Sequence, residues 1–189
     1  MTETPNPYMI DTDTLTGGMR PIRPAVVSLG SNLGDRFAAL QGAICALADT
    51  PGIQVVAVSS VYETVPVDGA INSPDFLNAV LLADTTLPVA TLLERMQAIE
   101  SAYGRERGEP NAPRSIDLDL IVVGNRVSDT AELQLPHPRA HERAFVLVPW
   151  QEVDSNAQIP GKGSVADLVA AVDASGVSRR SDLVLDLDL

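Results

Sequence analysis

The chain has 189 residues, 45% of them hydrophobic, which allows one compact domain with a short appendage rather than two full domains. Its 25 acidic and 13 basic residues give a formal net charge of −12, so a general nucleic-acid or anionic-membrane binder is not expected. A single cysteine, Cys45, excludes an intramolecular disulfide and favours a reducing, cytoplasmic compartment. The chain contains no apolar run of roughly 18 residues and no signal segment, so neither a membrane span nor export is expected.

The first third of the chain predicts a leader followed by a strand, a turn and a helix. Residues 1–24 are polar and rich in proline and glycine, which predicts a flexible leader or a linker remnant. The apolar residues 25–29 precede a glycine-containing turn, residues 30–36, and then hydrophobic residues at helical spacing from 37 to 47. The turn lacks a third glycine and a Gly-Lys-Ser/Thr sequence, so a structural turn is favoured over direct phosphate contact.

Two strands are predicted next. Residues 53–62 are β-branched and predict one long strand, residues 63–74 a loop, and residues 76–83 another strand. Asn78 interrupts the apolar run of that last strand, and a buried amide needs hydrogen-bond partners. Two roles for it stay open: tying down a neighbouring loop, or reading the donor–acceptor edge of a flat heterocycle with Phe76 nearby to stack.

An amphipathic helix is predicted from Pro88 to about residue 100. Gln97 and Glu100 are three residues apart and share a face, which is either solvated or leads into the following loop.

That loop and the strand after it, residues 103–124, carry the strongest chemical signal. Asp117 and Asp119 alternate with leucines, so both emerge on one face of a strand predicted over residues 116–123. At a separation of about 6.5 Å their oxygens can converge on Mg²⁺. A lone Asp-x-Asp pair is more often a solvated face, and Asp-Leu-Asp-Leu recurs at residues 186–189.

What separates the two acidic pairs is their context. The loop before the first pair contains Arg105, Arg107 and Arg114 among glycines and prolines, and guanidinium forks match phosphate oxygens two at a time. An acidic metal site beside an arginine-rich loop suggests nucleotide phosphate chemistry.

Beyond residue 123 the pattern becomes irregular. Residues 124–125 predict a hairpin turn into residues 126–127. His137 and His141 are four apart, but Pro138 disfavours a helical metal pair, so hydrogen bonding to phosphate or substrate is preferred. Residues 145–150 are core-like, a short helix is expected over residues 165–172, and residues 176–189 are expected to form a C-terminal tail.

The order of elements predicts an α+β fold. It corresponds to a ferredoxin-like βαββαβ core with an antiparallel sheet, its helices on one face and extra C-terminal elements, within a domain of residues 25–175. Such a sheet leaves one face on which strand and loop residues can build a site, although a fold alone does not fix a function.

Five ordered blocks resemble the 6-hydroxymethyl-7,8-dihydropterin pyrophosphokinase family of folate biosynthesis. The similarity spans about residues 25–150, and several ordered blocks are far more specific than any one of them. They are Ser-Leu-Gly-Ser-Asn-Leu-Gly-Asp at 28–35, Ser-Ser-Val-Tyr-Glu-Thr at 59–64, Asp-Phe-Leu-Asn-Ala-Val at 75–80, Pro-Arg-Ser-Ile-Asp-Leu-Asp at 113–119 and Leu-Pro-His-Pro at 135–138.

The resemblance implies transfer of the β,γ-pyrophosphoryl group of ATP to the pterin 6-hydroxymethyl oxygen, with release of AMP. It implies that Asp117 and Asp119 hold two Mg²⁺ ions and are catalytic together with Arg105 and Arg114. The nucleotide and moving phosphates would be bound by Gln97, Glu100, Arg105, Arg107, Arg114, Ile116, His137 and Arg143. The pterin would be bound by Thr64, Val65, Pro66, Phe76, Asn78, Asp117 and Phe145, the two phenylalanines sandwiching its ring.

The chain departs from the family pattern at two positions. Asn111-Ala112 stands where Trp-Gly is usual, which removes an aromatic lid residue, and Phe76 stands where tyrosine is frequent. Two alternatives stay open: a Mg²⁺-dependent nucleotidyltransferase and a non-catalytic ferredoxin-like nucleotide or pterin sensor. The expected partners are the two small substrates, with no nucleic acid and no membrane. A monomer is expected, and the resemblance also allows association with other folate-pathway enzymes.

Overall fold

A computed structural model describes residues 20–65, 74–104, 115–130 and 133–187. Within those residues the chain forms ten strands and four α-helices. In chain order they are β1 (Arg23–Ser31), α1 (Arg36–Ala48), β2 (Ile53–Val58), β3 (Tyr62–Thr64), β4 (Phe76–Thr85), α2 (Val89–Ala102), β5 (Asp117–Val123), β6 (Ser128–Asp129), β7 (Gln134–Leu135), α3 (Ala144–Val153), β8 (Gln158–Ile159), β9 (Gly163–Ser164), α4 (Val165–Ala171) and β10 (Val177–Arg179). One turn of 3₁₀ helix, Ala140–Glu142, precedes α3.

A six-stranded sheet forms the centre of the molecule. Its strands lie in the order β10-β3-β4-β1-β5, β2 also pairs with β4, and every pairing is antiparallel. The chain is therefore a mixed α and β protein with an antiparallel sheet, as its element order predicts.

The long strand predicted over residues 53–62 is wrong, because it divides into β2 and β3. At the break, the Ser59 hydroxyl accepts a hydrogen bond from the Val80 amide at 2.9 Å, in the place of a backbone carbonyl. Val58 pairs with Leu81 while Tyr62 pairs with Asn78, so the segment from β2 to β3 has one residue more than the part of β4 that it faces. The break changes the register of β3 relative to β2.

Helices cover both faces of the sheet. On one face, α1 and α2 bury Leu40, Ile44 and Met96 against Val27 and Leu29 of β1. On the opposite face, α3 and α4 bury a second cluster that includes Val26, Val80, Ile121, Leu147 and Trp150. The core-like residues 145–150 lie in α3. They cover part of the sheet face that α1 and α2 leave open.

The chain turns at residues 124–125 as predicted, but the predicted hairpin is wrong. The strand that follows, β6, pairs with β7 in a separate two-stranded sheet and not with β5. In the main sheet β5 pairs with β1.

The C-terminal residues that the sequence set apart as a tail contact the main sheet. Val177–Arg179 forms its edge strand by pairing with β3. Further along, the backbone N–H of Asp186 donates to Gln41 Oε1, and the Asp186 carbonyl accepts from Gln41 Nε2, both at 2.9 Å.

No helix in the described ranges is both long enough and apolar enough to span a membrane.

Candidate active site

The strand register brings the predicted acceptor and metal residues onto one row of the sheet. Tyr62 pairs with Asn78, Asn78 with Gly30, and Gly30 with Asp117. Directly paired residues share a face, so Asn78 and Asp117 flank Gly30 at roughly 10 Å from each other, two strand spacings. A Cβ on Gly30 would lie 3.4 Å from Asn78 Oδ1 and 3.9 Å from Phe76 Cδ1. Gly30 therefore forms a flat floor between a carboxylate and an amide, bordered by an aromatic ring.

Asp119 lies two residues further along the same strand. It pairs with Ser28 and is on the same face as Asp117, as the alternation predicts. Its Oδ2 is 3.0 Å from Arg143 Nη1 and 3.8 Å from His137 Nε2, and its side chain is 34% exposed. The Arg143 guanidinium also lies 5.5 Å from the centre of the Phe145 ring. The structure thus brings Asp119, His137, Arg143 and Phe145 together although they are up to 26 residues apart.

The imidazole of His137 is held in one tautomer. Its Nδ1 accepts a hydrogen bond from the Arg139 backbone N–H at 3.2 Å, so the neutral ring carries its proton on Nε2, toward Asp119. Burial lowers the pKa of His137, and the nearby Arg143 and Arg139 lower it further, against the opposing effect of Asp119. The neutral ring therefore presents an N–H donor beside the carboxylate.

Asn78 is 3% exposed and its amide is fixed by β3. Its Nδ2 donates to Thr64 Oγ1 at 2.9 Å and to the Tyr62 carbonyl at 3.4 Å. Both donor positions are therefore used within the protein, which turns the acceptor atom Oδ1 toward Gly30. The amide therefore ties β4 to β3, and its role toward a flat heterocycle stays a prediction.

Glu100 and Gln97 do not share one environment. Glu100 is 4% exposed and accepts a hydrogen bond from the Leu118 amide at 2.8 Å, so it connects the end of α2 to the strand between the two aspartates. Gln97 is exposed. The prediction of a solvated face is confirmed for Gln97 and wrong for Glu100. Helical spacing alone did not indicate the burial of Glu100.

The remaining predicted residues divide between the described ranges and the rest. Thr64 and Ile116 are buried, and Val65 is exposed. Pro66, Arg105, Arg107 and Arg114 lie outside the described residues.

A cleft of about 260 Å³ adjoins Asp119 at the β5 edge of the sheet. Its walls come from α2, β5, and β7 with its flanking residues, which are distant in the chain. They are Leu93, Leu118, Asp119, Leu120, Leu133, Gln134, His137 and Pro138. The one available signal was the neighbourhood of His137, since Gln134 lies three residues before it.

The acidic pair is compatible with Mg²⁺. Hard carboxylate oxygens are its preferred protein ligands, and Mg²⁺ bound with nucleotide uses one or two carboxylates while phosphates and water complete its shell. Within the described residues no group of three or more His, Cys, Asp or Glu side chains could hold a metal by itself. Asp117 and Asp119 therefore suit a metal that arrives with a phosphate ligand.

Carboxylates, an arginine and a neutral imidazole at one edge of an antiparallel sheet define a phosphate-handling class of α and β protein. Comparison with known proteins specifies that class. Residues 26–155 match the family described as 7,8-dihydro-6-hydroxymethylpterin-pyrophosphokinase (HPPK). The chain belongs to this family.

Individual relatives agree with that assignment. A 2-amino-4-hydroxy-6-hydroxymethyldihydropteridine pyrophosphokinase of Methylorubrum extorquens is 46% identical over 156 residues, covering 82% of this chain and 97% of the relative. The enzyme of the same name from Mycobacterium leprae is 46% identical over 149 residues, covering 73% of this chain and 75% of its own.

Among solved structures, a wild-type HPPK-DHPS of Plasmodium falciparum with SDX-DHP has a TM-score of 0.61 at 14% identity. The match covers 82% of this chain and 45% of that longer chain. At this identity the likeness concerns the fold alone.

Proposed function

We propose that this protein transfers pyrophosphate from ATP to 6-hydroxymethyl-7,8-dihydropterin, giving AMP and the pterin diphosphate, in folate biosynthesis. Its membership of the HPPK family supports this activity. One structural observation carries the proposal: Asn78 and Asp117 flank the flat surface of Gly30 on one row of the sheet. A flat bicyclic acceptor placed there would lie between an amide that reads its edge and the carboxylates of the phosphate site.

The core has the ferredoxin-like plan in this proposal. Its support is the sheet order β3-β4-β1-β5 with all neighbours antiparallel, together with α1 and α2 packed on the same face. The strands β6 to β10 and the helices α3 and α4 are then additions to that core.

The acceptor side of the site would recognise the heterocycle by a hydrogen bond to the edge of its ring and by aromatic contacts with the two faces of the ring. Asn78 Oδ1, whose amide nitrogen is already engaged, accepts an N–H of the ring. Phe76, beside Gly30, and Phe145, beside Arg143, supply the apolar surfaces that sandwich the ring. Backbone groups of Thr64 and Val65, together with Pro66, are assigned to the same substrate by resemblance.

The nucleotide side would bind the triphosphate. Asp117 and Asp119 hold Mg²⁺, two ions by resemblance, and bound Mg²⁺ supplies charge neutralisation of the phosphates. Arg143 and the Nε2–H of His137 donate to phosphate oxygens. By resemblance, Gln97, Glu100, Arg105, Arg107, Arg114 and Ile116 serve the same nucleotide. The cleft beside Asp119 is suited to the base, because leucines and a proline line it and Gln134 offers a polar amide.

The transfer itself needs alignment more than covalent help. The acceptor hydroxyl oxygen attacks the β-phosphorus, the bond from that phosphorus to the α,β-bridging oxygen breaks, and AMP leaves. The hydroxyl proton is lost to a phosphate oxygen or to water, so no strong base is required. Arg143, paired with Asp119 in the described structure, has a guanidinium fork that can exchange this carboxylate for a phosphate.

Product identity tests the proposal. Incubated with ATP, Mg²⁺ and the reduced pterin, the protein is expected to release AMP in equal amount to pterin diphosphate. Free pyrophosphate would instead indicate a nucleotidyltransferase, and tight binding of both compounds without turnover would indicate a sensor. A monomer, a cytoplasmic location and association with other folate-pathway enzymes stay predictions.

A further inference from the structure

The C-terminal residues 176–187, here called the C-terminal strap, lie outside the part of the chain that matches the HPPK family, residues 26–155. The strap pairs with β3 through β10 and continues across α1. Leu183 and Leu185 pack against the core on the α1 side of the sheet. The strap therefore connects β3, which carries Thr64, to the helix on the opposite side of the sheet from the site.

A carboxylate of β3, Glu63, connects the strap to α1. Glu63 Oε1 accepts from Arg36 Nη1 and Glu63 Oε2 accepts from Arg180 Nη1, both at 2.9 Å. Arg36 belongs to α1 and Arg180 to the strap, and each of the three side chains is only 27–29% exposed. Arg180 is oriented further by two hydrogen bonds to Asp182, at 2.9 and 2.7 Å.

The same ion-pair chain reaches both strands of the acceptor side. Glu63 lies between Tyr62 and Thr64, the two residues that accept from the Asn78 amide. Arg36 Nη1 also donates to the carbonyl of Asp75 at 2.6 Å, next to Phe76 where β4 begins. The Arg180–Glu63–Arg36 chain thus joins β3 to the start of β4 within one residue of Thr64 and Phe76.

The described residues of the nucleotide side lie across the sheet from the strap. Asp119, Arg143 and His137 lie at β5, the opposite edge of the sheet from β10. A change in the strap should therefore alter binding of one substrate and spare the other.

We propose that the C-terminal strap positions the acceptor side of the site through Arg180 and Glu63, which hold β3 against β4 so that Asn78 and Phe76 fit the heterocycle. Arg180 and Glu63 are then positioning residues that touch no substrate. The inference rests on the proposed function, because it assigns the heterocycle to this side of the sheet.

Steady-state kinetics with both substrates varied tests this assignment. In Arg180→Ala and in Glu63→Gln we expect the KM for the reduced pterin to rise about five- to tenfold, the scale of a half-buried charge-assisted contact. The KM for ATP should stay within about twofold and kcat should change little. The double variant should be no worse than Glu63→Gln alone, because Arg180 acts on the site through Glu63.

Two control variants separate positioning from a general loss of structure. Arg179→Ala removes the same charge from the same strap, but Arg179 contacts Ser60 and Glu152 instead of Glu63, so the pterin KM should stay near wild type. Arg180→Lys keeps a cation facing Glu63 and should restore part of the lost affinity. Equal effects of Arg179→Ala and Arg180→Ala would overturn the proposal.

Equilibrium binding of the reduced pterin, measured by calorimetry on the same variants, makes the result independent of turnover. Weaker pterin binding in Arg180→Ala with unchanged ATP binding supports the strap's role, even if wild type forms no AMP and the proposed activity fails. Unchanged pterin binding in both variants, or a parallel loss for both substrates, overturns it while leaving the proposed activity intact.

Discussion

The two sides of the site are held together by different kinds of interaction. On the nucleotide side, Asp119 is one-third exposed and its partners are a guanidinium and an imidazole. On the acceptor side, Asn78 is buried and its partners are a hydroxyl and a carbonyl. Exposed ion pairs contribute about 0–1 kcal/mol and exchange partners easily, whereas an unpaired buried polar group costs about 1–3 kcal/mol. Under the proposed function, the nucleotide side can therefore exchange its contacts when phosphate binds, whereas the contacts of the acceptor side are formed in advance.

The largest expected effect comes from removing a carboxylate of the nucleotide side. Asp119→Ala should lower turnover by about a thousandfold or more, because the loss of charge neutralisation at the phosphates is on the order of several kcal/mol. The rate is measured at saturating ATP, pterin and Mg²⁺. Asp186→Ala is the matched control, since it alters the same Asp-Leu pattern near the C-terminus and should leave the rate near wild type. A wild-type rate in Asp119→Ala would remove the metal role from this residue.

Arg143 tests whether the ion pair exchanges partners. Arg143→Ala should lower kcat by roughly a hundredfold and raise the ATP KM much less, if the guanidinium acts chiefly on charge that develops during transfer. Arg139→Ala provides the control: its side chain is exposed and only its backbone contacts His137, so a change of at most a few fold is expected. A rise in ATP KM equal to the fall in kcat would instead mean that Arg143 binds ground and transition states alike.

Features that depend on local sequence patterns could be predicted, whereas contacts that depend on strand register could not. Period-two alternation is local, so it placed Asp117 and Asp119 on one face, and helical spacing identified α1 and α2. The contact of Thr64 with Asn78 depends instead on the register of β3 against β4. That register shifts at the break between β2 and β3, where the Ser59 hydroxyl accepts from the Val80 amide. No local pattern reports such a break.

Burial of charged groups was equally hidden. Glu100 has the helical spacing of a surface residue, yet its carboxylate binds the Leu118 amide, because α2 packs directly against β5. The cleft beside Asp119 and the attachment of the strap to β3 depend in the same way on chain segments that meet only in the folded protein. The sequence therefore predicted the faces and the regular elements, but it did not show which residues meet in the folded protein.

On the acceptor side, Asn78→Leu should change binding of one substrate. Leucine preserves the side-chain volume but removes the acceptor Oδ1 and leaves the Thr64 hydroxyl without its donor. We expect the KM for the pterin to rise about ten- to fiftyfold, in line with about 1.4–2.3 kcal/mol for one lost buried hydrogen bond, while the KM for ATP stays within twofold. A matching rise in the ATP KM would contradict the division of the site into two independently held sides.

A smaller effect is expected from the group that orients Asn78. Thr64→Val keeps the shape of the side chain and removes the hydroxyl that accepts from Asn78 Nδ2. The amide then loses its orientation but keeps Oδ1, so the pterin KM should rise only about three- to fivefold, less than in Asn78→Leu. Thr64→Ser retains the hydroxyl and should behave as wild type. An equal rise in the pterin KM for Thr64→Val and Asn78→Leu would mean that the Thr64 side chain contacts the substrate.

The smallest effect concerns Tyr62, whose carbonyl is the second acceptor for Asn78. Burial raises the pKa of the Tyr62 phenol to about 12, assisted by its hydrogen bond to the Glu152 carboxylate at 3.0 Å. Since the folded pKa exceeds the ordinary value of about 10, the phenol stabilises the fold fully below about pH 10. That contribution is lost as the pH rises through about 12. The Tm of wild type minus that of Tyr62→Phe should therefore fall between about pH 9 and about pH 12, because phenylalanine has no proton to lose and other alkaline titrations cancel in the difference. A constant difference would mean that the fold does not hold the Tyr62 hydroxyl neutral.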